Sequence, residues 1–202
     1  RVFHPTKPIF KNYWENTYTI SKITAENFVR MFREVYNMDI AMLRWMNASG
    51  PRQHVYPVRK FIPMIITQAI LDKDIEIYGT GKQTVDIIDV RDIAKIAIKS
   101  TRNGIGKDLS KVYDVGSGHA ISCNEVAEYV VKKINSKSKI NHVPMRIGEA
   151  LDTKIAAKTH NELLKKIEYK LEYSFESTMD ACIDYMKSLD ENYLKKAYNF
   201  FK

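Results

Sequence analysis

Asp39-Ile40-Ala41-Met42-Leu43-Arg44-Trp45 is the stretch that decides the fold. It is a short apolar run, the pattern of a mostly buried strand. It follows directly on a helical stretch from Thr19 to about Asn37, where Thr24, Phe28, Met31, Phe32 and Val35 recur at threes and fours. A helix feeding an apolar strand is the rhythm of a parallel sheet in an α/β protein. Asn47-Ala48-Ser49-Gly50-Pro51-Arg52-Gln53 reads as a loop at that strand's carboxyl end, the side on which open α/β sheets bind ligands. Beyond it the spacing predicts a helix from about Lys60 to Leu71, with Pro63 tolerated in its first turn. Ile75–Tyr78 and Thr84–Asp89 read as two strands joined by Gly79-Thr80-Gly81, a hairpin-like pair. A helix from Arg91 to about Ser100 and a strand from Lys111 to Val115 follow. Gly116-Ser117-Gly118 turns the chain, and Ser122 and Glu125 form a capping box for a helix to about Asn135. The remainder predicts a strand at Ile140–Val143 and helices at Thr159–Ile167 and Ser174–Ser188, with Asp190–Lys202 extending the last helix or fraying.

Composition narrows the class. The chain has 202 residues, 45% hydrophobic and 28% charged, ordinary values for a globular protein. No apolar run is long enough to span a bilayer and no charged-then-apolar signal opens the chain, so neither membrane nor export is indicated. Cys123 and Cys182 lie far apart and form no CxxC, which points to free thiols in a reducing compartment, the cytoplasm. The five histidines show no zinc-ligand spacing, so no metal is expected. The net charge of +8 is carried by dispersed lysines, with doublets only at Lys132-Lys133, Lys165-Lys166 and Lys195-Lys196 in predicted helices. That distribution lacks the focused basic face of a nucleic-acid binder.

Tyr18-Thr19-Ile20-Ser21-Lys22 opens the first helix. Residues four apart share a helix face, and a cation beside a phenol favours the phenolate, the form that accepts a proton. Taken alone, the pair also reads as a surface Tyr and Lys.

Four stretches occur in one order: Tyr18-x-x-x-Lys22; Leu43-Arg44-Trp45-Met46-Asn47-x-x-Gly50-Pro51-Arg52-Gln53; Ile77-Tyr78-Gly79-x-Gly81-x-Gln83-x-x-Asp86-x-x-x-Val90-x-Asp92; and Val112-Tyr113-Asp114-Val115-Gly116-Ser117-Gly118. In this order and spacing they resemble the extended short-chain dehydrogenase/reductases, specifically the NAD-dependent sugar-nucleotide epimerases and dehydratases. Pro144-x-Arg146-x-Gly148-Glu149 fits the same family. The resemblance covers the later part of that family. Its glycine-rich Rossmann turn and its upstream catalytic Ser or Thr have no counterpart here: Gly81-Lys82-Gln83 joins two strands, and Thr6 and Thr17 lie too near Tyr18. The 202 residues are therefore expected to be the C-terminal portion of a longer enzyme, inactive by itself. The expected fold is the later part of a Rossmann-like parallel sheet interleaved with a smaller α/β substrate lobe. Residues 1–56 and 90–118 are assigned to the Rossmann-like part, and 57–89 and 119–202 to the lobe.

The resemblance implies a function: transient oxidation of a sugar hydroxyl on a nucleotide-diphosphate sugar, using NAD (or NADP, since the selecting residues lie in the unmatched part). An epimerase is favoured. A dehydratase or decarboxylase of the same family and a non-catalytic binding module are the alternatives. Tyr18 is implied as the acid/base, and Lys22 as its partner and a ligand of the nicotinamide ribose; the main chain at Trp45 and Met46 should approach the nicotinamide. Asn47 corresponds to a diphosphate-contacting asparagine, or is a turn residue before Gly-Pro. Lys60 and Phe61 fall in the family's nucleotide pocket. Tyr78 falls against the base or ribose, or is an edge-strand aromatic. Arg146 matches a diphosphate-binding arginine. The family usually places Arg where Val85 stands, so Arg52, Arg59 or Lys82 is a candidate replacement. Asp86 and Asp92 read as structural, fixing the strand-to-helix turn. Family members commonly dimerise through the helix that carries the Tyr and Lys, and the large apolar residues Phe28, Met31, Phe32 and Tyr36 fit a homodimer.

Overall fold

A computed structural model of the chain describes residues 17–107, 111–145, 157 and 159–201. In chain order, the elements are α1 (Thr17–Tyr36), β1 (Leu43–Trp45), β2 (Asn47–Ser49), α2 (Phe61–Ile70), β3 (Ile75–Tyr78), β4 (Thr84–Asp89) and α3 (Val90–Arg102). They continue with β5 (Tyr113–Val115), β6 (Ala120–Ser122), α4 (Cys123–Ile134), β7 (Ile140–Val143), α5 (His160–Lys166), α6 (Phe175–Lys187) and α7 (Glu191–Phe200). The α/β class expected from the sequence is the one observed.

Three sets of strands form. β1 pairs with β5 in parallel, and β3 pairs with β7 in parallel. β4 lies between β2, parallel to it, and β6, antiparallel to it. The chain changes partners between β1 and β2. Met46 N–H donates to the Val115 carbonyl at 2.8 Å, closing the β1–β5 ladder, and Ala48 N–H donates to the Met46 carbonyl at 2.8 Å, bending the chain toward β4. The β1–β5 ladder therefore ends at Trp45-Met46, and from Asn47 the chain pairs with β4.

β4 also separates two apolar cores, because successive strand residues face opposite sides. Ile87 joins a large core with Ile65 and Ile66 of α2, Ile75 and Ile77 of β3, Val126 and Val130 of α4, and Met179 and Ile183 of α6. Ile88 joins a smaller core with Ile96 of α3, Tyr113 and Val115 of β5, Leu163 of α5 and Ile167 just after it; Leu43 of β1 packs against this core.

Several expectations need correction. β3 and β4 are not a hairpin: β3 pairs with β7, and β4 with β2 and β6. The Gly79–Gly81 turn is instead clamped by the start of α4. Asn124 N–H donates to the Gly81 carbonyl, Asn124 Nδ2 to Thr80 O, and Cys123 N–H to Gln83 O. Gly79 and Gly81 both have φ of 70°, a conformation glycine adopts without strain, and a Cβ on Gly81 would collide with Asn124. Asn47–Ser49 is a strand rather than a loop, because it finds Ile87–Asp89 to pair with. β1 is shorter and less buried than its composition predicts. Arg44 and Trp45 are exposed, and β5 is its one partner strand among the described residues. β6 was not anticipated. The last segment is a separate helix, capped by Asp190, whose side chain accepts from Tyr193 N–H.

Candidate functional site

Tyr18 and Lys22 stand in the first turns of α1, with the Lys22 ammonium 5.2 Å from the centre of the Tyr18 ring. Both are exposed, Tyr18 at 66%. One turn further on, Glu26 accepts two hydrogen bonds from Arg44 of β1, Nε to Oε1 at 2.6 Å and Nη2 to Oε2 at 2.8 Å. The Arg44 guanidinium holds the Glu26 carboxyl below the usual range, partial burial opposing it. Arg44 also lies 3.5 Å from Asp114, its register partner in β5. Next along the chain come Trp45, which ends β1, Met46 at the bend, and Asn47, exposed at the start of β2 opposite Ile87.

A second group forms at the start of α2. Lys60, Phe61 and Tyr78 line one small cleft, about 70 Å³, together with Arg59, Met64 and Glu76. Arg59 pairs with Glu76 at 3.0 Å, and its guanidinium sits 5.3 Å from the Tyr78 ring centre. Of the three cations considered for the missing phosphate clamp, Arg59 is the one that shares this cleft. Arg52 is exposed with φ of 67°, and Lys82 is exposed in the β3–β4 turn. Val85 opposes Ile121 and packs against the large core, where an apolar side chain fits. Arg146 lies outside the described residues.

The structural aspartates work differently from the expectation. Asp86 and Asp92 are both fully buried, but neither fixes the strand-to-helix turn. Asp86 accepts from Ser117 N–H (2.6 Å), Ser117 Oγ–H (2.7 Å), Gly118 N–H (3.1 Å) and Ala157 N–H (2.8 Å), tying β4 to the turn after β5. A Cβ on Gly116 would collide with this carboxylate, which explains the glycine. Asp92 accepts from Tyr169 Oη–H at 2.5 Å and from Glu172 N–H at 3.1 Å. Asp89, which sequence reasoning passed over, caps α3 by accepting from Arg91 N–H and from the Arg91 guanidinium. Burial works to raise the Asp89 carboxyl, but the Arg91 bonds outweigh it and hold the group below the usual range. Glu26 and Arg44 were also missed as a pair, since nothing in single-sequence spacing links a helix face to a strand residue eighteen positions away.

The described residues contain no group of three or more His, Cys, Asp or Glu able to hold a metal ion, and no helix long and apolar enough to cross a membrane. The largest anionic dinucleotide fragment would find no cradle at Gly79–Gly81, since that turn leads into β4 and not into a helix. A nicotinamide–ribose end does fit the residues present. An exposed phenol and ammonium share a face of α1, and Trp45–Met46 lies at the carboxyl end of a parallel strand pair.

The sequence profile of the NAD-dependent epimerase/dehydratase family matches residues 4–116. The chain belongs to this family. A low-salt glycan biosynthesis protein of Haloferax volcanii is 32% identical over 181 residues, 87% of this chain and 54% of the relative. A dTDP-D-glucose 4,6-dehydratase of Dictyostelium discoideum is 31% identical over 116 residues, 57% of this chain and 25% of the relative. Among solved structures, a UDP-N-acetylglucosamine 4-epimerase of Methanobrevibacter ruminantium, in complex with UDP-N-acetylmuramic acid, is 27% identical. It superposes with a TM-score of 0.73 over 92% of this chain and 59% of its own. The chain thus spans about half the length, or less, of these relatives. The relatives include sugar-nucleotide epimerases and dehydratases, and the Rossmann-like fold expected of the family is the one these strands and helices build.

Proposed function

We propose that this chain forms the Tyr–Lys and substrate-binding part of an NAD-dependent epimerase acting on a nucleotide-diphosphate sugar. The observation that carries the reading is the Tyr18–Lys22 pair, exposed on one face of α1 in a chain of this family. The Tyr18 phenolic oxygen takes the proton of the sugar hydroxyl being oxidised and returns it when the ketone is reduced. Lys22 stands beside it on the same helix face, its ammonium 5.2 Å from the ring centre. NAD, when bound, supplies the hydride acceptor. Lys22 and the main chain at Trp45 and Met46 would hold its nicotinamide ribose end. Asn47 would donate to the substrate diphosphate and Arg146 would pair with it. Lys60, Phe61 and Tyr78 would receive the nucleoside, with Arg59 as the candidate phosphate-binding cation that shares their cleft. In the proposed division of labour the smaller core lies on the cofactor side and the larger in the substrate lobe, with Ile88, Leu163 and Ile167 of the smaller core contributed by segments assigned to the lobe.

A dehydratase of the same family is the second reading, favoured by the 31% identity to the Dictyostelium enzyme. One experiment separates them. The complete protein is incubated with NAD and, in turn, UDP-glucose, UDP-N-acetylglucosamine and dTDP-glucose, and products are followed by NMR and mass spectrometry. An isomer of unchanged mass is expected. A product lighter by one water supports the dehydratase, and no conversion of any of the three overturns the proposal.

A further inference from the structure

We infer that Glu26, acting through Arg44, is a positioning residue that sets where Tyr18 and Lys22 stand relative to the end of β1; this rests on the function proposed above. Among its described residues α1 buries only Arg33; Phe28, Met31, Phe32, Val35 and Tyr36 are exposed, and Ile23 and Val29 on the inner face are half-buried. None of these joins either apolar core. Among the described residues, two polar ties reach from the helix to the chain beyond it. Arg33 donates to the Ile40 carbonyl, which holds the helix's last turns to the segment just after it. Glu26 grips Arg44 inside β1, and Arg44 reaches on to Asp114 of β5. The second tie is the one that joins helix to strand. Its two parallel hydrogen bonds fix orientation as well as distance, as a guanidinium–carboxylate fork does and a single contact does not. Arg30, 3.7 Å from the same carboxylate, adds a second cation from within the helix.

The position of this tie matters for the reaction. Glu26 follows Lys22 by one turn and Tyr18 by two, about 12 Å along the axis at 1.5 Å per residue. Arg44 immediately precedes Trp45, Met46 and Asn47. One ion pair thus connects the helix bearing the acid/base to the strand bearing the proposed nicotinamide contacts. A tilt of about 5° at Glu26 would move Tyr18 by about 1 Å, and a misplacement of that size can lower a rate by about a hundredfold. An ordinary exposed ion pair would contribute little; this one is bidentate, and its carboxylate is shielded, with side-chain exposure of 17% for Glu26 against 50% for Arg44.

The test uses the complete protein carrying Glu26→Gln, Arg44→Met, or both, with Tyr18→Phe as a control. Hydrogen–deuterium exchange over residues 17–24 should rise about tenfold in each single variant, while α4 stays as in the unaltered protein. With whichever of the three nucleotide sugars the unaltered protein converts, kcat should fall about tenfold or more with KM within about twofold, and the double variant should be no worse than either single one. Unchanged exchange over 17–24, an equal rise across α4, or an unchanged kcat each overturns the inference. If exchange rises as expected but Tyr18→Phe still turns over, the tether stands as a structural fact and the proposed function is what fails.

Discussion

Asp86 accepts four hydrogen bonds on one fully buried side chain. It holds β4, the turn after β5 and Ala157 together, so its loss leaves several buried N–H groups without an acceptor. Asp86→Ala is expected to cost about 3 kcal/mol or more, read from the urea midpoint at unchanged m-value. The two cysteines make a second test. Burial pushes both the Cys123 and Cys182 thiols up to about 11 from an ordinary value of 9.0. A pKa raised in the folded state contributes stability that is full below the unfolded value and lost as pH rises through the folded one. Thiol ionisation should thus weaken the fold between about pH 9 and pH 11. At pH 8 both thiols should resist a thiol-reactive disulfide reagent until urea unfolds the chain; rapid labelling of the native protein would contradict their burial. The Glu26 and Asp89 carboxyls, held below their usual range, act in the opposite sense. Their contribution is present above the unfolded value and fades as pH falls through the folded one.

At the scale of elements, what was legible in the sequence depended on range. Helix positions followed from local spacing and caps: the Ser122–Glu125 capping box is present as read, with Ser122 Oγ accepting from Glu125 N–H and the Glu125 carboxylate from Ser122 N–H. The strand at Ile140–Val143 has the bounds its composition predicts. Strand partners were not legible. Ile75–Tyr78 pairs with residues sixty-five positions away, and no local pattern distinguishes that from a hairpin with the next strand. Of the glycines that imitate a hairpin turn, Gly81 serves a different contact, with Asn124. Gly81→Ala, which forces a Cβ into Asn124 at a left-handed φ, should destabilise by about 1–3 kcal/mol, whereas Thr80→Ala at the exposed turn should cost under about 0.5 kcal/mol; equal effects would contradict the clamp. The candidate site divides in the same way. Tyr18 and Lys22 were readable because four residues along a helix is a local relation. That Arg59 joins Lys60, Phe61 and Tyr78 in one cleft needed the β3–α2 contact, and Asp86 and Glu26 needed partners far along the chain.

For the molecule as a whole, the exposed stripe on α1 is the feature left to account for. Phe28, Met31, Phe32, Val35 and Tyr36 lie at helical spacing and are all exposed, with Phe32 and Tyr36 rings 5.4 Å apart. The proposed occupant is a second copy of the protein, as the family resemblance implies. Phe32→Glu in the complete protein should shift a dimer to monomer by sedimentation velocity while leaving the circular dichroism spectrum unchanged; an unaltered dimer would place the interface elsewhere. The proposed chemistry lies in the first turns of that helix. The most direct measurement is turnover by Tyr18→Phe in the complete protein, on whichever of the three nucleotide sugars the unaltered enzyme converts, alongside calorimetric binding of that sugar. Removing one phenolic oxygen from an exposed side chain should abolish conversion and leave nucleotide-sugar affinity within about twofold. Conversion at the unaltered rate would show that Tyr18 is not the acid/base and would overturn the proposed function.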